Sequence, residues 1–192
     1  MKVLVRVADE RVPVALLLRH SDLNQMSEGR GQAGAVEAVE GGQRLGRRQA
    51  AAGADEAGLS DTVGYANPAQ VRRLFTRLRA ELGTKAGAAH MHNTRGLGLA
   101  NCLAAYDVGV RTFDSSLGGL GGCPYAPGAS GNVVTEDLVF MFEAMGVKTG
   151  IDLNKLMAAR VPLAAGLPGE PLYGMTPEAG LPKGYVQEVV HV

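Results

Sequence analysis

Two histidines one residue apart, His90 and His92, stand ahead of a glycine-rich stretch, Gly118 to Asn132, that contains a cysteine, Cys123. In a strand, residues i and i+2 point to the same side, so both imidazoles can reach one ion. Imidazole is a common ligand for first-row divalent metals, and carbonyl or carboxylate oxygens complete a six-coordinate shell with room for substrate. Two histidines making ordinary hydrogen bonds at a strand end are an equally good reading of the pair alone. Asp61, at the end of the preceding strand pattern, could contact such an ion, orient a histidine or act as a base. A lone Asp there also serves as a turn former, although Asn67 already caps the helix that follows. Cys123, in a stretch too rich in glycine for a packed element, can be an acid, base or nucleophile if a nearby cation tunes its thiol. Asn132 offers a carbonyl oxygen to the same ion, or a cap to the helix that starts near Thr135. The glycine stretch has neither Walker spacing nor G-x-G-x-x-G, which argues against a phosphate cradle.

Elements that would position these residues alternate regularly after Ala52. A strand over Ala57 to Val63 leads through a turn at Gly64 to Ala66 into a helix with Asn67 as cap and Pro68 in its first turn. Val71, Leu74, Phe75, Leu78 and Leu82 fall on one helical face, with Arg72, Arg73, Arg77 and Arg79 mostly outside it, and Gly83 ends the helix. A strand Gly87 to His92, a polar turn and a helix through Leu99, Leu103 and Tyr106 follow. A third strand, Val110 to Ser116, runs into the glycine stretch, after which Thr135 caps a helix with Leu138, Phe142 and Met145 on one face, closed by Gly146. Cys102 lies inside a helical pattern and reads as core. Repeated strand–helix units imply parallel strands with right-handed crossovers, in a doubly wound sheet or part of a barrel. Asp61, His90, His92 and Ser115 all fall at or near strand carboxyl ends, which form the active face of a (β/α)8 barrel and favour that architecture.

The 192 residues suffice for one domain with a sizeable core, and their apolar and charged fractions, 46% and 20%, are those of a globular protein. A formal net charge of +0 without long basic runs excludes the footprint of a nucleic-acid binder. Two cysteines are too few for a disulfide scaffold, so a reducing cytoplasm is the expected compartment. The apolar run Val14 to Leu18 is short and preceded by Asp9 and Glu10, so neither a signal peptide nor a membrane span is expected.

At the glycine stretch the sequence resembles a known family. Ser116-Leu117-Gly118-Gly119-Leu120-Gly121-Gly122-Cys123-Pro124-Tyr125 is similar to the signature of 3-hydroxy-3-methylglutaryl-CoA lyases. Leu59-Ser60-Asp61-Thr62-Val63-Gly64, His90-Met91-His92-Asn93-Thr94-Arg95-Gly96 with Ala100-Asn101, and Gly128-Ala129-Ser130-Gly131-Asn132 with Thr135-Glu136-Asp137-Leu138 agree with that family in order and spacing. The resemblance implies a TIM-barrel enzyme of leucine and ketone-body catabolism. It would cleave the acyl-CoA substrate 3-hydroxy-3-methylglutaryl-CoA to acetyl-CoA and acetoacetate with Mg²⁺ or Mn²⁺. It further implies His90, His92 and Asn132 as metal ligands, Cys123 as catalytic acid/base and Asp61 as a catalytic carboxylate near the reacting carbons. Related condensing synthases of the isopropylmalate and homocitrate type share the His-X-His element, but carry a Gly-Glu-Arg-X-Gly-Asn type loop where this chain has Cys-Pro-Tyr. A homo-oligomer is compatible with the sequence; a nucleic-acid or membrane partner is not expected.

The front of the chain departs from the family, which begins with an Arg-Asp-Gly-Leu-Gln strand supplying a further metal-binding Asp and a substrate-contacting Arg; residues 1–52 contain no such element. Residues 27–52 lack a sustained helical or strand period. The expected organisation is an atypical segment over 1–52, disordered or out of frame, the C-terminal part of a lyase-type barrel over 53–160, and a Pro- and Gly-rich extension over 161–192. A complete barrel takes ~250 residues. The expectation is therefore a partial barrel of the lyase type, inactive or active as it stands, with a non-catalytic barrel fragment or a condensing acyltransferase as the alternatives.

Overall fold

The computed structural model describes residues 2–6, 56–122, 128 and 130–187. Strands β1 (Lys2–Arg6), β2 (Ala57–Asp61), β3 (Ala86–Met91) and β4 (Thr112–Ser116) form one sheet in the order β1-β4-β3-β2. Helix α1 (Pro68–Leu82) joins β2 to β3 and α2 (Gly98–Asp107) joins β3 to β4; α3 (Thr135–Ala144), α4 (Leu153–Ala158), α5 (Arg160–Gly166) and α6 (Met175–Ala179) follow. The three consecutive strands β2, β3 and β4 are parallel neighbours.

Local chemistry explains the boundaries. Asn67 and Gln70 form a reciprocal capping box, satisfying two of the N–H groups left open at the start of α1, with Pro68 at a position that needs no N–H. Val71, Phe75 and Leu78 are the buried face, as the periodicity requires. Arg79, on the same helix, donates to the Gly109 and Ala86 carbonyls at 2.8 and 3.3 Å and so clamps the connections at the far end of the strands. The Asn93 side chain accepts from Gly98 N at 2.9 Å and fixes the start of α2.

Register decides which residues face the helices. Val5, Ala89, Met91 and Phe113 belong to one core with Val71, Phe75 and Leu78 of α1, Cys102 and Ala105 of α2, and Leu138, Val139 and Phe142 of α3. The alternate positions, Ala88 and His90 of β3 and Thr112 and Asp114 of β4, stand outside that core in matched pairs. Among the described residues the helices thus cover one sheet face and polar side chains occupy the other. That is the arrangement of a barrel wall, since a doubly wound sheet carries helices on both faces.

Several expectations need correction. Strand β2 ends at Asp61 rather than Val63, because both Asp61 carboxylate oxygens turn the chain by accepting from Tyr65 N and Ala66 N, each at 3.0 Å. Thr135 does not cap α3; its hydroxyl bonds Ser115 Oγ at 2.9 Å, and Val134 is the N-cap residue. Ser115 consequently faces α3 and not the polar face. Lys2–Arg6, within the segment expected to lack regular structure, is a strand, antiparallel to β4, with Val5 fully buried. Val3 and Val5 are residues that favour the extended chain. The rest of the 1–52 expectation lies outside the described residues. No described helix is long and apolar enough to cross a membrane.

Candidate functional site

His90 lies one residue from the end of β3 and His92 just past it; both are buried, at 5% exposure. Their ring centroids are 5.0 Å apart with planes inclined by 61°. The chain returns to them after the glycine stretch: His92 and Asn132 form an antiparallel bridge, Asn93 N donates to Gly131 O and Val133 N to Met91 O, both at 2.9 Å. Backbone pairing therefore brings Asn132 alongside the histidines from a distant part of the sequence.

Asn132 has a defined orientation. Its Nδ2 donates to Leu120 O at 2.7 Å and to Gly121 O at 3.4 Å, so the amide nitrogen must face those carbonyls and Oδ1 must face away. Oδ1 is buried and has no hydrogen-bond partner. Leaving a buried acceptor unsatisfied costs about 1–3 kcal/mol, a cost that a bound cation would remove. Two imidazoles and one amide oxygen fit a hard-to-borderline divalent ion such as Mg²⁺ or Mn²⁺. Among the described residues no three His, Cys, Asp or Glu side chains gather to hold a metal on their own.

Asp114 was not singled out from the sequence. It pairs in register with His90 across β3 and β4, and its Oδ2 lies 3.4 Å from His90 Nδ1. An Asp inside a strand gives no signal until the register is known; here it is a carboxylate beside the ring nitrogen that a metal-binding imidazole would not use through Nε2.

Asp61 sits at the rim with both oxygens engaged by the β2–α1 turn, while its backbone carbonyl accepts from His92 N at 3.1 Å. Its register partner is Met91, one position out of phase with His90. The carboxylate keeps further lone pairs beyond the two turn bonds. Arg95 closes the rim: its guanidinium stacks 4.3 Å from the Tyr65 ring centroid and donates to Val63 O and Gly64 O, each at 3.2 Å.

The root of the glycine stretch is a tight turn over Leu117–Gly119 with Gly118 at φ 61° and Gly119 at φ 69°, values that favour glycine. Cys123 lies outside the described residues. Cys102 is fully buried in α2, as expected, and burial pushes its thiol pKa well above the ordinary range.

A sequence model of the HMGL-like family matches residues 19–161. That match begins further toward the N-terminus than the motifs themselves, which start near Gly53. Residues of this chain are 51% identical over 107 residues to a hydroxymethylglutaryl-CoA lyase of Bacillus subtilis, covering 56% of this chain and 36% of that protein. They are 48% identical over 128 residues to an (R)-citramalyl-CoA lyase of Chloroflexus aurantiacus, covering 67% of this chain and 40% of the relative. The chain thus spans well under half the length of these curated relatives. Among solved structures, an HMG-CoA lyase from Acinetobacter baumannii in complex with coenzyme A and 3-methylmalate superposes with a TM-score of 0.68 at 39% identity, over 80% of this chain and 59% of that one. The Bacillus subtilis HMG-CoA lyase gives 0.68 at 43% identity, over 73% of this chain and 47% of the other. The described units are part of a TIM barrel, and the chain belongs to the HMGL-like family.

Proposed function

We propose that this member of the HMGL-like family carries the metal-binding half of a carbon–carbon lyase site and that its reaction is the cleavage of 3-hydroxy-3-methylglutaryl-CoA to acetyl-CoA and acetoacetate. The observation that carries this reading is the orphaned, buried Oδ1 of Asn132, a residue whose backbone is bridged to His92, whose ring in turn pairs with that of His90. Mg²⁺ or Mn²⁺ held by these three residues would supply Lewis acidity and a template for the substrate hydroxyl and free carboxylate.

The chain's own residues supply the rest. Asp114 Oδ2, 3.4 Å from His90 Nδ1, is the carboxylate that would accept from Nδ1–H once the ring turns to ligate through Nε2. Asp61, in register with Met91 and not with His90, is held at the strand end by two turn N–H groups; it is the carboxylate proposed to take the proton of the tertiary hydroxyl once substrate draws it from that turn. As that O–H bond breaks, the new ketone forms and the electrons of the broken carbon–carbon bond pass to the acetyl-CoA enolate. Cys123 is proposed to donate its thiol proton to that carbon, completing acetyl-CoA.

A second reading concerns the acyl group. The citramalyl-CoA lyase matches a larger share of this chain than the Bacillus subtilis enzyme does, at nearly the same identity. Both are named as lyases of CoA esters, so the shared chemistry is unaffected and only the acyl pocket is at issue. The neutral charge and paucity of cysteines support a cytoplasmic location without nucleic-acid partners. A homo-oligomer remains part of the proposal, as its formation would cover apolar surface such as Val161 and Met175.

The test is acetoacetate release from 3-hydroxy-3-methylglutaryl-CoA by the purified chain with Mn²⁺, in parallel with consumption of citramalyl-CoA. Turnover of the former, abolished in His90→Ala and reduced at least ~100-fold in Cys123→Ser and Asp61→Asn, is expected. Metal binding without turnover of either ester would assign a non-catalytic barrel fragment. Condensation of acetyl-CoA with a 2-oxo acid, without cleavage, would assign a synthase.

A further inference from the structure

Glu136 is fully buried at the start of α3, where an acidic residue ordinarily meets solvent and the helix dipole. Its carboxylate instead accepts from Gly118 N through both oxygens, at 3.2 and 3.2 Å, and from Arg160 Nη1 at 2.7 Å. Arg160 donates further to Tyr173 O at 3.0 Å and Leu172 O at 3.5 Å, and Tyr173 N returns to Gly118 O at 2.8 Å. Both backbone groups of Gly118 are thereby fixed, one by Glu136 and one by the segment that Arg160 holds. Gly118 has φ 61°, and a Cβ there would press on Leu172 at 2.9 Å, so a residue without a Cβ lets the turn lie this close to the segment.

The fixed turn aims the next carbonyls. Leu120 N closes the turn onto Leu117 O at 3.3 Å, and Leu120 O then takes the Asn132 amide at 2.7 Å. The Asn132 amide can satisfy that bond only with Oδ1 pointing away, as its buried and unpartnered state records. From this chain of contacts we propose that Glu136, held by Arg160, is a positioning residue for the metal site: it sets the direction of Asn132 Oδ1 through the Leu117–Leu120 turn. The inference rests on the reading of Asn132 as a metal ligand. Groups hydrogen-bonded directly to a ligand typically change metal affinity about 10- to 100-fold when removed, and Glu136 acts one step further back, through the turn that aims Leu120 O.

The experiment is titration of the full chain with Mn²⁺, reading free ion by electron paramagnetic resonance, for the parent, Glu136→Gln, Arg160→Lys, Asn132→Ala and the Glu136→Gln/Asn132→Ala double variant. Glu136→Gln is expected to weaken Mn²⁺ binding up to about 10-fold, the lower end of the range for direct partners of a ligand. In the Asn132→Ala background the same substitution is expected to change nothing further, which a merely structural role would not produce. Should Glu136→Gln fail to fold, Arg160→Lys, which keeps the positive charge but loses the forked contacts to Leu172 and Tyr173, carries the comparison with an expected loss of a few-fold. Parent-like affinity in both variants, or an equal loss with and without Asn132, would overturn this inference and leave the metal site standing. Absence of Mn²⁺ binding by the parent would overturn both.

Discussion

At the level of single residues, burial sets the chemistry of Cys102. Cys102 has no exposed surface, and desolvation holds its thiol neutral. In the unfolded chain that thiol ionises near 9.0, whereas burial raises its pKa well above that value in the folded chain. Its contribution to stability is therefore intact below that pH and lost progressively above it, since ionisation then favours the unfolded state. Iodoacetamide at neutral pH is expected to leave Cys102 unmodified until denaturant is added, as mass spectrometry of the peptide would show; rapid labelling of the native protein would contradict its place in α2. The site residues differ in how visible they were. His90 and His92 announce themselves through type and spacing, whereas Asp114 needs the β3–β4 register to be recognised. Glu136 reads as an ordinary first-turn acid because nothing local reveals that Arg160 and Gly118 will enclose it.

Elements built on local rules matched their sequence patterns closely. α1 declares itself through the Asn67 and Gln70 capping box, Pro68 and a clean apolar face, all of which act within one or two turns. Thr135 misled for the opposite reason: its position suits a cap, but a tertiary partner, Ser115, takes the hydroxyl. The turns around the site depend on backbone shape. Gly131 has φ 115°, and a Cβ there would collide with Gly119 O, so Gly131 keeps the returning segment close to the root of the glycine stretch. Gly131→Ala is expected to lower stability by about 1–3 kcal/mol and to displace Asn132 from His92. Chemical denaturation together with the Mn²⁺ titration checks both parts; unchanged values would mean that the two segments separate at no cost.

For the molecule as a whole, one core joins all three βα units. Phe142 packs at 5.0 Å from Phe113 and 5.3 Å from Tyr106, linking α3 to β4 and α2, and is fully buried. Phe142→Ala is expected to cost about 3–5 kcal/mol, a large part of a typical domain's stability, and thermal melting with and without Mn²⁺ would measure it. A shift of only a degree or two would show that the three units do not melt together. The parallel units were legible because each repeats a strand, a turn and a capped helix. The place of β1 was not, since five residues without flanking turn signals carry too little pattern, and pairing with β4 is a long-range contact. That pairing has a further consequence. A parallel sheet grows by adding the next strand along an open backbone edge, and Lys2–Arg6 lies antiparallel along the edge of β4 where such growth would continue. A strand arriving to pair with β4 itself must first displace five paired residues, so β1 occupies that edge and, among the described residues, becomes the outer strand of the wall in its place.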